Sequence, residues 1–206
     1  MQSKSILLSL ALALIFNVSL MAQQRIVAVD EENSSIQWIG KKVTGAHDGH
    51  IQILEGSLEL TEGTITGGTF VMDMTSITVD DIENENYNAK LVKHLKDDDF
   101  FGVEQFPSAS LLIKSAKKVN SNKSADNGKA TQIDQYTITA DISIKGITKE
   151  ITFDAEVMYF NDNSMKATSE ITVDRTEFGI HYGSDKNLGD KMIYKNFTLN
   201  VSLALN

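Results

Sequence analysis

The chain has 206 residues, a formal net charge of −9 and no cysteine. The acidic balance argues against a nucleic-acid partner and against electrostatic docking to anionic lipid. The lack of cysteine excludes disulfides, thiol chemistry and thiolate metal sites.

Residues 1–22 have the pattern of a secretory signal. Lys4 is followed by an apolar run and then by small and apolar residues up to Ala22. This run is too short for a stop-transfer helix. We therefore expect cleavage near Gln23, a single domain over residues 23–206, no stable insertion into a membrane, and a periplasmic or secreted location.

Most of the remaining chain alternates between apolar and polar residues with period two, which is typical of strands with one buried face. In the clearest case every even residue from Tyr136 to Ile144 is apolar. With only one proline in the chain, the pattern favours a closed antiparallel barrel, which has no exposed sheet edges. About eight predicted strands cover residues 35–42, 51–60, 64–73, 108–119, 132–144, 151–159, 165–173 and 197–203.

Local features interrupt this alternation. The apolar phase slips across Glu55-Gly56, and Gly67-Gly68 lies inside the next strand. Both indicate a bulge or bend of the kind that a curling sheet needs. Glycines predict a turn at residues 45–49, and the polar stretch 120–131 predicts a long hairpin loop.

The stretch from residue 90 to residue 109 breaks the strand pattern altogether. Leu91, His94 and Leu95 would share one face of a helix. The spacing predicts a short helix at about residues 87–97, inserted between two strands. Such a helix can cap the mouth of a barrel.

Four motifs, in the same order along the chain, resemble the YceI-like family. They are Trp38-x-Gly40, Gly67-Gly68-x-Phe70-x-x-Asp73-Met74-x-Ser76-Ile77, the segment from Leu91 to Ala109 that includes Asp99-Phe100-Phe101 and Phe106-Pro107, and Asp174-Arg175-x-x-Phe178-Gly179-Ile180. The resemblance covers residues 33–205. It implies an all-β, eight-stranded antiparallel lipocalin-like barrel that binds a polyisoprenoid lipid in its interior.

Seven residues from these motifs are candidates for contact with such a ligand. The aromatic rings would shape the cavity mouth, and the polar groups would select the head of the ligand. The candidates are Phe70, Asp73, His94, Phe100, Phe101, Arg175 and Phe178.

Arg175 has two interpretations that stay open at the level of sequence. It continues an inward row of apolar residues that ends at Val173, and an inward arginine is costly unless it is paired or hydrogen-bonded. It could hold the loop at residues 176–190 by binding carboxylates or carbonyls. Alternatively, its guanidinium could meet a phosphate or carbonyl head group.

The sequence contains no catalytic or metal-binding motif. His47 and His50 are three residues apart, which places them on opposite faces of a strand, and the motifs of zinc proteases, serine hydrolases and phosphate loops are missing. The three aspartates at residues 97–99 lack the spacing of a calcium loop. We therefore predict no metal site, no enzyme, and no cofactor apart from a bound isoprenoid lipid.

Two functions of different class follow from these observations. The first is an exported carrier of an isoprenoid lipid, either a quinone tail or a polyprenyl phosphate, in a cavity with flexible methionines such as Met72 and Met74. The second is a solidly packed barrel that acts as a protein-interaction or stress-related module without a lipid. A homodimer is compatible with both.

Overall fold

The computed structural model describes residues 23–123 and 130–206. Each strand pairs with the next and the last pairs with the first, so the sheet closes into a barrel. The predicted eight-stranded antiparallel barrel is confirmed. The predicted signal segment lies outside the described residues. The strands are β1 (Gln24–Lys42), β2 (Gly45–Thr61), β3 (Thr64–Asp73), β4 (Ser108–Lys123), β5 (Ala130–Ile144), β6 (Ile147–Phe160), β7 (Met165–Asp174) and β8 (Ile193–Leu205).

Several strands are longer than the alternation predicts. β1 begins at Gln24 because Val27 and Val29 extend its buried row. The predicted hairpin loop at residues 120–131 is shorter, since β4 continues to Lys123 and β5 begins at Ala130, with residues 124–129 outside the described chain. Cross-strand pairing stabilises polar segments as strands, which a local alternation pattern does not register.

The turn predicted at residues 45–49 is wrong. These residues begin β2, and the turn lies at residues 43–44. Gly49 is paired with Trp38 of β1, so pairing between strands overrides the local turn preference of the glycines.

The two irregularities predicted in the first half of the chain are confirmed. The register between β2 and β3 shifts between Ile53 and Glu55 and again between Glu59 and Leu60. At Gly56 a Cβ atom would lie 2.8 Å from the ring of Phe70. The Phe70 ring can therefore approach the bent strand because Gly56 has no side chain.

Helix α1 (Glu85–Lys96) lies between β3 and β4. The side-chain oxygen of Asn84 accepts hydrogen bonds from the backbone N–H groups of Asn86 and Tyr87. This cap satisfies two donors that have no partner within the helix. The helix predicted at about residues 87–97 is confirmed. Of the helices in the described ranges, none has the length and apolar character to cross a bilayer.

A charged cluster lies at the barrel end opposite α1. Asp134 is fully buried on the inner row of β5, and the Nζ atom of Lys118 lies 2.7 Å from its carboxylate. Gln132 donates to the same carboxylate at 2.8 Å, and the Tyr136 hydroxyl lies 3.4 Å from it. A buried carboxylate is stable only with such partners.

The ladder between β6 and β7 is incomplete. The two strands are paired only from Ala155–Ser169 to Tyr159–Met165. On their other sides, β6 pairs with β5 as far as Ile147, and β7 pairs with β8 as far as Asp174. We call the unpaired part, residues 147–154 facing residues 170–174, the seam.

Candidate ligand-binding site

The interior contains two apolar cavities. The mouth cavity lies under α1, has a volume of about 110 Å³, and is lined by residues that include Trp38, Met74, Leu95, Phe100 and Phe101. Its lining is almost entirely hydrocarbon because the strands turn their apolar rows inward.

The deep cavity lies further along the barrel axis and has a volume of about 90 Å³. Its lining includes Phe70, Ile113, Ile138, Phe153 and Ile171. The deep cavity is as apolar as the mouth cavity and lies nearer the Asp134 cluster.

Four side chains line both cavities and therefore form the partition between them. They are Ile36, Met72, Ile142 and Leu199. Met72 is the unbranched, flexible member of this set, whereas the others are branched and stiffer. A change in the Met72 rotamer is thus the simplest way to join the cavities.

The volumes limit what the closed barrel can hold. A dry apolar cavity of about 150 Å³ holds a single benzene molecule, whereas sites for drug-sized ligands have roughly 300–1,000 Å³. Each cavity is therefore close to the size of one small hydrocarbon group. A longer chain requires the two cavities to join and side chains to shift.

An aromatic layer covers the mouth cavity. The His94 ring meets Phe100 edge-on with centroids 4.9 Å apart, and meets Tyr182 edge-on at 4.5 Å. Phe101 contacts Phe197 of β8 in the same geometry at 6.5 Å. Such edge-to-face pairs stabilise beyond the area they bury. The layer separates the cavity from an outer groove lined by His94, Tyr182 and residues of α1.

His94 is held in place on its polar side as well. Its Nε2 atom lies 3.0 Å from the Asp99 carboxylate. Asp99, one of the three aspartates that follow α1, therefore orients the His94 ring in the aromatic layer.

The segment between β3 and α1 is fixed over the same end of the barrel. Trp38 donates its indole N–H to the carbonyl oxygen of Thr78 at 3.0 Å. Asp73 caps the 3₁₀ turn Met74–Ser76 by accepting from the Thr75 N–H at 2.8 Å. Met74 and Ile77 from this segment line the mouth cavity.

Arg175 is buried at the mouth cavity and donates to three backbone carbonyls. Its Nη1 donates to Ile180 at 2.8 Å, its Nη2 to Ile193 at 3.1 Å, and its Nε to Tyr194 at 3.1 Å. Burial lowers the pKa of Arg175, while the neighbouring Asp174 opposes that shift. An arginine stays charged under such conditions. The interpretation that Arg175 holds the following loop through carbonyls is confirmed.

The neighbouring Asp174 is ionised by its own partners. Burial raises its pKa, but hydrogen bonds from Lys195 and Thr176 outweigh this effect, so the pKa lies below its ordinary value. The Lys195 ammonium is 2.8 Å from the carboxylate. Arg175 thus has a negative charge beside it in sequence, but its own three hydrogen bonds go to backbone carbonyls.

The seven candidate residues divide into three groups in space. Phe100, Phe101 and Arg175 line the mouth cavity, and Phe70 lines the deep cavity. His94 lies in the layer above. Asp73 and Phe178 line neither cavity: Asp73 caps a turn, and Phe178 is fully buried beside β7. Ligand contact by all seven stays a prediction.

Sequence reasoning missed most of the partition. Ile36, Ile142 and Leu199 lie on three different strands and carry no motif. Their only signal is the inward phase of each strand. Their meeting point depends on the register of the closed barrel.

Two histidines near the start of β2 each pair with one aspartate. His47 lies 2.8 Å from Asp81, and His50 contacts Asp80. In residues 23–123 and 130–206 no group of three or more His, Cys, Asp or Glu side chains could hold a metal ion.

A sequence profile described as the YceI-like domain matches residues 28–205. The chain belongs to the YceI-like family. The resemblance that the four motifs indicate is therefore confirmed, and the match covers the barrel from residue 28 of β1 to the end of β8.

Proteins of other organisms resemble this chain in sequence or in fold. The UPF0312 protein of Staphylococcus aureus strain USA300 is 25% identical over 167 residues, with 78% of this chain and 82% of that protein covered. Burkholderia cenocepacia BcnA superposes with a TM-score of 0.63 at 15% identity, covering 85% of this chain and 98% of that chain. A polyisoprenoid binding domain from Saccharophagus degradans, implicated in plant cell wall breakdown, also gives 0.63, at 12% identity, covering 87% and 97%. The structural likenesses show a shared fold.

Proposed function

We propose that this YceI-like barrel is an exported carrier that holds the chain of an isoprenoid lipid in its interior. The observation that carries this proposal is the pair of apolar cavities, separated only by a partition that contains Met72. The name of the Saccharophagus degradans domain, which states polyisoprenoid binding, supports the same class of ligand. A binding role, not a catalytic one, is in keeping with this interior.

The affinity would come mainly from the hydrocarbon chain. Burial of apolar surface contributes roughly 25 cal/mol per Å², and nearly every group in both linings is apolar. Binding strength should therefore rise with the number of isoprene units until both cavities are full. Salt should have little effect on it.

Arg175 can serve a polar head without leaving its structural role. A guanidinium has five N–H donors, and three bonds to carbonyls leave one N–H on Nη1 and one on Nη2. Because Arg175 lines the mouth cavity, a head group at the mouth would lie beside this side chain. A polyprenyl phosphate offers an anion that matches the guanidinium better than a quinone carbonyl does.

The decisive experiment uses the only tryptophan of the chain, Trp38, which lines the mouth cavity. Purified protein is stripped by organic extraction, the extract is analysed by mass spectrometry, and the stripped protein is titrated with isoprenoid alcohols of increasing length while tryptophan fluorescence is recorded. We expect an isoprenoid in the extract and an affinity that rises with chain length and then levels off. An affinity independent of length would favour the packed module that acts through a protein partner.

Export and assembly belong to the same proposal. A carrier of membrane lipids works where the lipid must cross an aqueous space, and the signal-like pattern at residues 1–22 supports a periplasmic or secreted location. N-terminal sequencing of protein from the host should find a mature chain that begins near Gln23. Sedimentation of the loaded and stripped protein decides between a monomer and a homodimer.

A further inference from the structure

The seam between β6 and β7 suggests how a lipid chain could reach the interior, which neither cavity alone explains. Next to it, β5 and β6 are paired along their whole length, and β7 and β8 are paired from Met165 to Asp174. Between β6 and β7 the ladder stops at Ala155 and Ser169. At the seam the wall therefore lacks the ladder of backbone hydrogen bonds that joins the neighbouring strands.

The side chains along the seam are apolar on the inside and polar on the outside. Phe153 of β6 and Ile171 of β7 lie on either side of the seam and both line the deep cavity. Phe153 is only half-buried. Thr152 and Thr172, which point outward, are exposed. A hydrocarbon chain that passed between Phe153 and Ile171 would thus meet apolar groups once it was past the outer layer of threonines.

The barrel wall is thin at the place where the pairing of β6 and β7 ends. Ala155, Thr168, Ser169 and Val201 line both the deep cavity and a depression on the outer surface. The Ser169 hydroxyl donates to the carbonyl oxygen of Asp154 at 2.7 Å. One side-chain hydrogen bond therefore takes the place of the next step of the ladder.

The mouth, in contrast, is tied down by several hydrogen bonds. Lys145 donates to the carbonyl oxygens of Asp98 and Phe100, and Lys96 donates to that of Thr75 at 2.7 Å. Opening the mouth would break these bonds, the bond from Trp38 to Thr78, and the aromatic layer together. Opening the seam leaves all of them intact, so the seam is the weaker part of the wall.

Near the mouth the seam is covered. The 3₁₀ turn Arg175–Phe178 follows β7 directly and packs against β6. A Cβ at Gly179 would lie 3.8 Å from the side chain of Ile147, and Phe178, the last residue of the turn, is buried. The three bonds of Arg175 hold this turn in place, so the free part of the seam lies lower, between residues 151–154 and 170–173.

We propose that this seam is the entry site for the ligand: an isoprenoid chain passes sideways between β6 and β7 into the deep cavity. The proposal rests on the carrier function above. It assigns a ligand class, an uncharged branched hydrocarbon chain, to the stretch of wall where β6 and β7 are not paired with each other.

The lack of cysteine in the chain permits a clean cross-linking test. If the β6–β7 register continued past Ala155–Ser169, Thr152 would face Thr172. The double variant Thr152→Cys/Thr172→Cys is joined by short, reductively cleavable bis-thiol reagents of graded length. The matched control is Thr139→Cys/Thr152→Cys, because these hydroxyls lie 3.5 Å apart across the complete β5–β6 ladder.

The probe is geranylgeraniol delivered from phosphatidylcholine vesicles, and the readout is the rate at which Trp38 fluorescence changes. Cross-linking the seam should slow uptake by about tenfold or more, and cleavage of the linker should restore it. Cross-linking the control pair should leave the rate unchanged. Equal rates for the two linked proteins would overturn the seam proposal. A wild-type protein that takes up no geranylgeraniol would instead overturn the carrier function itself.

A second pair of variants tests the seam without a cross-link. Ser169→Ala removes the hydrogen bond at the point where the strands part and should speed uptake severalfold. The control is Ser143→Ala, because Ser143 lies 2.7 Å from the Thr148 hydroxyl across paired strands and its loss should not change the rate. Uptake by Ser169→Ala at the wild-type rate would count against the seam.

Discussion

Trp38 and Thr78 are joined directly over the backbone of Gly49. The indole N–H donates to the Thr78 carbonyl at 3.0 Å, and a Cβ at Gly49 would lie only 2.0 Å from that same oxygen and 2.9 Å from the indole nitrogen. The segment that covers the mouth cavity can therefore approach the barrel only because residue 49 has no side chain.

We expect Gly49→Ala to displace this covering segment. Overpacking of this kind costs about 1–3 kcal/mol or more in the free energy of unfolding, which urea denaturation monitored by Trp38 fluorescence will measure. The matched control is Gly40→Ala, where a Cβ would meet the Trp38 ring at an ordinary 3.7 Å. Similar stability for the two variants would contradict the close approach.

A second prediction concerns the partition between the cavities. Met72→Ala should join the two cavities and extend the range of isoprenoid lengths over which affinity rises, at a cost of about 2–5 kcal/mol in stability. Met72→Phe should block the deep cavity and make affinity level off at a shorter chain. Titration of a chain-length series measures both effects.

The control for the partition is Met165→Ala. Met165 is buried but lines neither cavity, so this variant should lose comparable stability without a change in the length profile. If Met165→Ala and Met72→Ala gave the same profile, Met72 would have no role between the cavities.

A third prediction uses the buried ion pair at the opposite end of the barrel. Burial raises the pKa of Asp134, but hydrogen bonds led by that from Lys118 outweigh this effect and hold the pKa below its ordinary value. A carboxyl whose pKa is lowered on folding stabilises the protein above the unfolded pKa of about 3.9. That contribution is lost as the pH falls from about 4 through the lower folded pKa.

Lys118→Met should therefore destabilise the barrel by about 3 kcal/mol at neutral pH, because it leaves a buried carboxylate without its cation. The double variant Lys118→Met/Asp134→Leu should recover much of this loss and should show a weaker dependence of stability on acid than the wild type. Thermal denaturation from pH 7 to pH 3 measures the three proteins. An equal acid dependence in the wild type and the double variant would argue against the lowered pKa.

A fourth prediction separates the two roles of Arg175. Arg175→Ala leaves three carbonyl acceptors without donors, at about 1–3 kcal/mol for each group that stays buried and unsatisfied, so urea denaturation should show a large loss of stability. Arg175→Lys should recover part of it. If Arg175 also meets the head group, both variants should weaken binding of a prenyl phosphate more than binding of a quinone with a tail of equal length.

The control here is Lys195→Ala. Lys195 is exposed and pairs with Asp174 at the surface, and such pairs contribute about 0–1 kcal/mol. Loss of stability in this variant as large as in Arg175→Ala would mean that the region is held by Asp174 and not by the arginine.

The sequence by itself determined the parts of this protein that rest on local patterns. The alternation from Tyr136 to Ile144 predicts a strand with one buried face, and the structure buries those alternate residues. The slip at Glu55-Gly56 predicts the bulge, and the spacing of Leu91 and Leu95 predicts α1. Each of these depends on neighbours only a few residues apart, where backbone sterics and side-chain period decide the conformation.

The tertiary structure decided everything that depends on register around the closed barrel. It brought Met72 and Ile142 together from different strands as a partition, and it gave Arg175 three carbonyl acceptors from Ile180, Ile193 and Tyr194. It also ended the β6–β7 ladder at Ser169, although residues on both sides alternate as regular strands do. A strand's own sequence fixes which face is buried, but which residues it meets, and where its pairing stops, follows from the twist and closure of all eight strands together.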